Sequence, residues 1–235
     1  MLYTEAQKFL FENTINLLEE RTIMRTARSS FRFVLALSLF FFGGISAATA
    51  ATQVTNDLKA TIDKVINIVS DEKYKVDKKA HRKQLREVID ARFSYEQMGM
   101  RSLAQDWNDR TPEEKKQFVE LFGKLLENSY ASKIESYRDE KINYTTEDIK
   151  DGYAMVKTEI VRKSDTIPVD YKLINVNGQW LIYDFIIEGV SIIRNYRSQF
   201  GKIILKESYS GLVKKLTAKI EELEASGENV KSDNL

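Results

Sequence analysis

From Val54 the apolar side chains recur at Leu58, Ile62, Val65, Ile66 and Val69. Steps of three and four residues lay one apolar stripe along a helix. The polar stretch 70–73 separates it from a second helix, predicted over about 77–92, whose apolar face is Leu85, Val88 and Ile89. Ser94 followed by Gln97 is a capping-box pattern, so a third helix is predicted from about 95 to 106. Thr111-Pro112-Glu113-Glu114 is a stronger start signal. Threonine can cap, proline suits the first helical position, and Glu114 can bond back to the cap. The helix it opens is predicted to reach about Tyr137 and to bury Phe118, Phe122 and Leu126.

The period then changes to two. Residues 142–148 read as a strand, and Asp151-Gly152 as a turn. Residues 153–163 alternate, with Ala154, Val156, Thr158 and Ile160 on one side. Ser164-Asp165 turns the chain into a strand carrying Ile167, Val169, Tyr171 and Leu173. Asn177-Gly178 is a hairpin signal. The last strand, 180–187, is almost wholly apolar, and alternation divides it into Trp180/Ile182/Asp184/Ile186 and Leu181/Tyr183/Phe185/Ile187. Helices return over about 189–206 and 212–223, and a polar tail from 226 to 235 is expected to fray. Helices, a four-stranded antiparallel meander, then helices is an α+β order.

The first fifty residues do not share this patterning. Arg25, Arg28 and Arg32 precede an apolar run from Phe33 to Phe42, and Ala48-Thr49-Ala50 follows. A basic start, a short apolar core and a small-x-small site are the parts of a cleavable export signal. The apolar run is too short for a spanning helix, which needs about 20 residues. The expected organisation is therefore an extension and signal over 1–50, with the signal core at about 24–50, then one domain over 51–225. Met24 is the expected natural start, with a long n-region beginning at Met1 as the alternative.

Charge and composition narrow the chemistry. The formal net charge is +1, and basic and acidic residues balance beyond Ala50. That balance lacks the electrostatic footprint of a nucleic-acid binder. There is no cysteine and one histidine, His81, set among lysine and arginine as on a solvated helix face. A histidine-rich metal site and a Ser-His-Asp triad are both poorly supported, and no cofactor is expected. Ser191 lacks the second glycine of a nucleophile elbow and reads as a helix cap. Asp184 stands out, because it interrupts an apolar strand and Arg194 and Arg197 follow. A buried carboxylate needs a partner, and arginine can supply one. These three are expected to brace strand to helix; a ligand-facing role for Asp184 is the alternative. Eleven Tyr, twelve Phe and two Trp serve a chain with no evident catalytic set. They fit a packed core or an apolar pocket between helices and sheet.

One segment bears on that choice. Trp180, Tyr183 and Asp184, then Glu188-Gly189-Val190-Ser191, then Asn195-Tyr196-Arg197, Gln199 and Phe200 closely resemble the signature of MlaC proteins, also called toluene-tolerance (Ttg2-type) proteins. Trp107, Thr111-Pro112-Glu113 and Phe118 resemble a second family segment, although Ala104 stands where the family usually has glycine. The resemblance covers roughly 54–220. It implies an NTF2-like fold, with helices packed on a bent antiparallel four-stranded sheet around a hydrophobic pocket. It implies a periplasmic carrier and not an enzyme, with a bound phospholipid as cargo. It also implies two partners: an outer-membrane lipoprotein complex (MlaA-like) and an inner-membrane MCE-type ABC transporter (MlaD-like). A carrier of another lipid, such as a hopanoid, and an NTF2-like enzyme are the alternatives. The expected lining is Val156, Ile160, Val169, Tyr171, Leu173, Trp180 and Ile182 from the sheet, and Phe93, Met98, Leu121 and Leu125 from helices. A one-residue slip would invert the strand faces.

Overall fold

A computed structural model describes residues 52–75, 77–137 and 139–229. The expected export signal lies outside the described residues, as does the chain from 230. Four helices come first: α1 (Gln53–Ser70), α2 (Lys78–Asp90), α3 (Tyr95–Leu103) and α4 (Pro112–Glu135). At α4 both legs of the predicted capping box form. Glu114 N donates to Thr111 Oγ1 at 3.2 Å, and Thr111 N donates to Glu114 Oε2 at 2.9 Å. At α3 the Gln97 N–H donates to Ser94 Oγ at 3.4 Å. Helix α3 ends short of the predicted boundary near 106, because Ala104 takes φ 54° and passes the chain into a 3-10 turn at Ala104–Trp107.

The strands are β1 (Lys141–Lys150), β2 (Tyr153–Val161), β3 (Thr166–Val176), β4 (Gln179–Ile187) and β5 (Val190–Ser191), antiparallel neighbours in chain order. The sheet therefore has five strands, not the four expected. The cause is local. Glu188 and Gly189 have φ 50° and 82°, the same left-handed pair seen at Asp151-Gly152 and Asn177-Gly178. Two such residues make a hairpin turn whose twist matches the flanking strands, so Val190–Ser191 folds back on Ile186 and Ile187. The final helix, α5 (Ile192–Asn229), starts later than predicted and runs past Ser226, where fraying is expected to begin. Ser208, at φ 68°, breaks it between the two helices that the sequence suggests.

Helices cover one face of the sheet. Val54 and Leu58 of α1, Phe118 and Phe122 of α4 and Leu212 of α5 join Val156 and Leu173 in one buried cluster. The outer edge of β4 is also covered. Ile182 N donates to Arg92 O at 2.8 Å, and Ser94 N donates to Ile182 O at 2.9 Å. The segment joining α2 to α3 thus satisfies backbone groups that an open sheet edge would expose.

Ala104 holds a conformation that favours glycine, at the position where the family pattern has one. Strain of this kind costs about 1–3 kcal/mol, and glycine's chain entropy offsets part of the relief. Ala104→Gly is expected to stabilise the fold by about 1 kcal/mol and to raise Tm by about 2–4 °C. Thermal unfolding checks this; an unchanged or lower Tm would mean that the turn stores no strain.

Candidate functional site

The pairing of β3 with β4 sets the geometry of the site. Leu173 opposes Ile182, but Lys172 opposes Asp184, so Tyr183 is the extra residue of a β-bulge. Directly opposed residues share a face. Trp180 and Ile182 face the helices before the bulge, and Phe185 and Ile187 face them after it. Asp184 turns to the other side. The two-face division expected for this strand fails here, because alternation carries no mark of an inserted residue.

Asp184 is buried, 5% exposed. Its carboxylate accepts the Ser191 hydroxyl at 2.7 Å and the Ile193 backbone N–H at 3.1 Å, and Lys172 Nζ stands 3.8 Å away. Ser191 in turn caps α5, accepting the Arg194 N–H at 3.1 Å. Asp184 thus bonds across from strand to helix, but its partners are not the expected arginines. Arg197 donates instead to Arg101 O at 3.0 Å, and the Arg194 side chain is exposed. The reason is proximity: the tight β4–β5 turn brings the helix start itself, with its unpaired amides and positive dipole end, onto the carboxylate.

The seven strand residues expected to line a pocket all lie on the helix-facing side of the sheet. Register places Val156, Tyr171 and Phe185 in one cross-strand row, and Tyr144, Thr158, Val169 and Ile187 in the next. Ile142, Ile160 and Ile167 form a third row, and Leu173 pairs with Ile182 deeper in. Their burial differs. Val156, Val169, Leu173 and Ile182 are closed off, as are Met98 of α3 and Leu125 of α4. Ile160, Tyr171, Trp180, Phe93 and Leu121 keep accessible surface. The first group is packed core. The second stands with Tyr130 of α4, whose ring meets Phe185 edge-on at 5.4 Å. Sequence reasoning missed Tyr130, Tyr144, Phe185 and Ile187. The β4 bulge hid two of them; Tyr144 follows from alternation in β1, and Tyr130 from helical spacing after Leu126.

Two cavities lie elsewhere. One of about 480 Å³ sits between α1 and α2, bordered by Thr61, Ile68, Val88 and Arg92. Another of about 420 Å³ sits at the break in α5, beside Arg110 and Tyr209. None of the expected lining residues borders either.

The phenols on the inner face are strongly desolvated. Burial pushes the Tyr171 hydroxyl up to about 12, although the residue as a whole keeps some accessible surface. Burial also raises Tyr144, with Tyr171 and Asp63 adding to the effect, and raises Tyr130 with help from Tyr196. Glu147 lies in the row of Val156 but is spent elsewhere. It accepts the Thr55 N–H at 2.9 Å and the Thr55 hydroxyl at 2.5 Å, and also bonds Thr52, at the start of α1. Burial works against its charge, yet these bonds hold the carboxyl below its ordinary range. Among the described residues no group of three or more His, Asp or Glu is placed to hold a metal. His81, expected on a solvated face, keeps 12% of its side chain exposed, with Nε2 3.8 Å from Asp71. Its Nδ1 lies 2.7 Å from Asp77 O.

A model of the MlaC protein family matches residues 59–218. The chain belongs to the MlaC family. The intermembrane phospholipid transport system binding protein MlaC of Haemophilus influenzae is 24% identical over 127 residues, 52% of this chain and 59% of that protein. Toluene tolerance protein ttg2D of Pseudomonas putida is 29% identical over 93 residues, 39% of this chain and 43% of the relative. The chain thus spans about half the length of the curated MlaC relatives it matches. A solved structure of the phospholipid-binding protein from Ralstonia solanacearum, in complex with a phospholipid, superposes with a TM-score of 0.68 at 22% identity. That match covers 74% of this chain and 99% of the other, so the α+β fold is shared. The stretch that carries the MlaC resemblance, Trp180 to Phe200, is the one in which the bulge, Asp184 and Ser191 join sheet to helix.

Asp184→Ala removes the acceptor for two donors, one of which, the Ile193 N–H, is buried. It is expected to cost about 2–3 kcal/mol, with or without bound ligand, whereas Arg194→Ala is expected to change little. Denaturant unfolding of both variants decides it; equal stability of Asp184→Ala and the parent would refute the brace. For Glu147 the folded carboxyl is depressed, so its contribution is full above the ordinary carboxylate range and is lost as pH falls through the folded value. Glu147→Gln should lower Tm by about 2–4 °C near neutral pH, as for loss of a helix-start acceptor of about 1 kcal/mol. The difference from the parent should shrink in acid, as melts from neutral pH down through the carboxylate range would show.

Proposed function

We propose that this chain is an exported periplasmic carrier that holds a phospholipid between α4 and the inner face of the sheet, in an NTF2-like arrangement. It passes that lipid between an outer-membrane lipoprotein complex of the MlaA type and an inner-membrane MCE-type ABC transporter with an MlaD-like subunit, and so maintains outer-membrane lipid asymmetry. The observation that carries this reading is Tyr171. The residue keeps some accessible surface on the helix-facing side of the sheet, and burial raises its hydroxyl, as suits a phenol facing apolar side chains more than bulk water. The half-buried row Ile142, Ile160 and Ile167 extends the same apolar surface toward the end of the sheet.

The energetics suit such a task. Burying one methylene contributes about 0.8 kcal/mol, so two acyl chains bind strongly without a dense set of polar contacts. An NTF2-like enzyme would instead need an acid/base pair on that face. The carboxylate there, Glu147, is committed to the start of α1, and Asp184 is committed to α5 on the opposite side. Family membership and the named roles of the relatives support the carrier reading.

Purification from a periplasmic fraction, native mass spectrometry and lipid extraction should find phospholipid with the protein. Val156 and Leu173 are fully packed, so large residues there would disrupt the core. Leu121 and Ile160 keep accessible surface and are the better sites for filling the hollow. Displacing about two methylenes costs about 1.6 kcal/mol, or about fifteen-fold in affinity. Leu121→Trp and Ile160→Trp should lower lipid per protein accordingly while circular dichroism is unchanged. A hopanoid in the extract would change the cargo and keep the carrier. No lipid in the parent protein would overturn the proposal.

A further inference from the structure

The carrier reading leaves the polar groups of the sheet's inner face to be accounted for. Thr158 donates to Val169 O at 2.7 Å. Asn175 accepts the Gly178 N–H at 2.9 Å. Glu147 is held by Thr52 and Thr55. Two hydroxyls remain. Tyr144 Oη is closed off from solvent and has no hydrogen-bond partner among the described residues. Tyr171 stands in the adjacent cross-strand row, near enough to raise the Tyr144 hydroxyl. A buried donor without an acceptor costs about 1–3 kcal/mol, and such groups in a native protein need a reason.

The surroundings define what acceptor fits. No lysine or arginine projects from the inner-face positions of the described strands, by their register. Glu147 and Asp63 add negative charge nearby. An anionic group at this depth would lose its hydration and meet no cation from the strands, so a phosphate is disfavoured. A neutral carbonyl oxygen flanked by hydrocarbon carries no such penalty. It accepts from a phenol and sits naturally between apolar rows. Ester-linked acyl chains carry that group where chain meets glycerol; alkyl ethers have the same hydrocarbon without it.

We propose, resting on the carrier reading, that Tyr144 and Tyr171 donate hydrogen bonds to the ester carbonyls of the cargo and thereby select ester-linked over ether-linked lipids. Each hydrogen bond supplies a preference of about threefold to tenfold. The two phenols stay neutral donors through physiological pH, because burial raises both.

The test is competitive loading of the full chain. Vesicles contain equal amounts of diester and diether phosphatidylglycerol of matched chain length, and protein-bound lipid is extracted and quantified by mass spectrometry. The parent should enrich the diester at least about threefold. Tyr144→Phe and Tyr171→Phe should each reduce that enrichment, and the double variant should abolish it while total bound lipid stays within about tenfold of the parent. Equal uptake of both lipids by the parent would overturn the proposal, and so would undiminished preference in the double variant. The parent measurement stands alone if a variant fails to fold. Binding of neither lipid by the parent would instead strike the carrier reading, a result distinct from loading without preference.

Discussion

The buried carboxylate of Asp184 is the interaction on which the arrangement of sheet and final helix depends. It binds the Ser191 hydroxyl and the Ile193 amide at the point where β5 becomes α5. The bulge at Tyr183 places it there by turning Asp184 away from the helix-covered face. Without that inserted residue, strict alternation would put Asp184 on the same side as Ile182, among apolar side chains and away from the donors it now meets. One insertion therefore keeps the charge out of the inner face and delivers it to a helix start.

The inner face is apolar as a consequence. Leu173, Ile182, Val156 and Val169 are packed shut, while Tyr171, Ile160 and Leu121 keep accessible surface. Packed core and half-buried side chains are thus parts of one continuous surface. The polar groups left unpaired there are phenols, which bring apolar area and one hydrogen-bonding tip.

Much of this was legible in the chain itself. The capping box at Thr111 and the turns at Asp151-Gly152 and Asn177-Gly178 act through bonds among neighbours, so local chemistry determined them. Period-two alternation placed Val156, Ile160, Val169, Tyr171 and Leu173 on a common face, and the motif from Trp180 to Phe200 identified the family. Burial and pairing, by contrast, depend on what lies opposite. Tertiary structure alone decided that Tyr183 is an extra residue, that Val190–Ser191 pairs as a fifth strand, and that Asp184 meets a helix start and not Arg194 or Arg197. It also decided which inward side chains are closed and which keep surface. A strand's period states which residues share a side; only the partner strand's register and the helix laid across it state what that side touches.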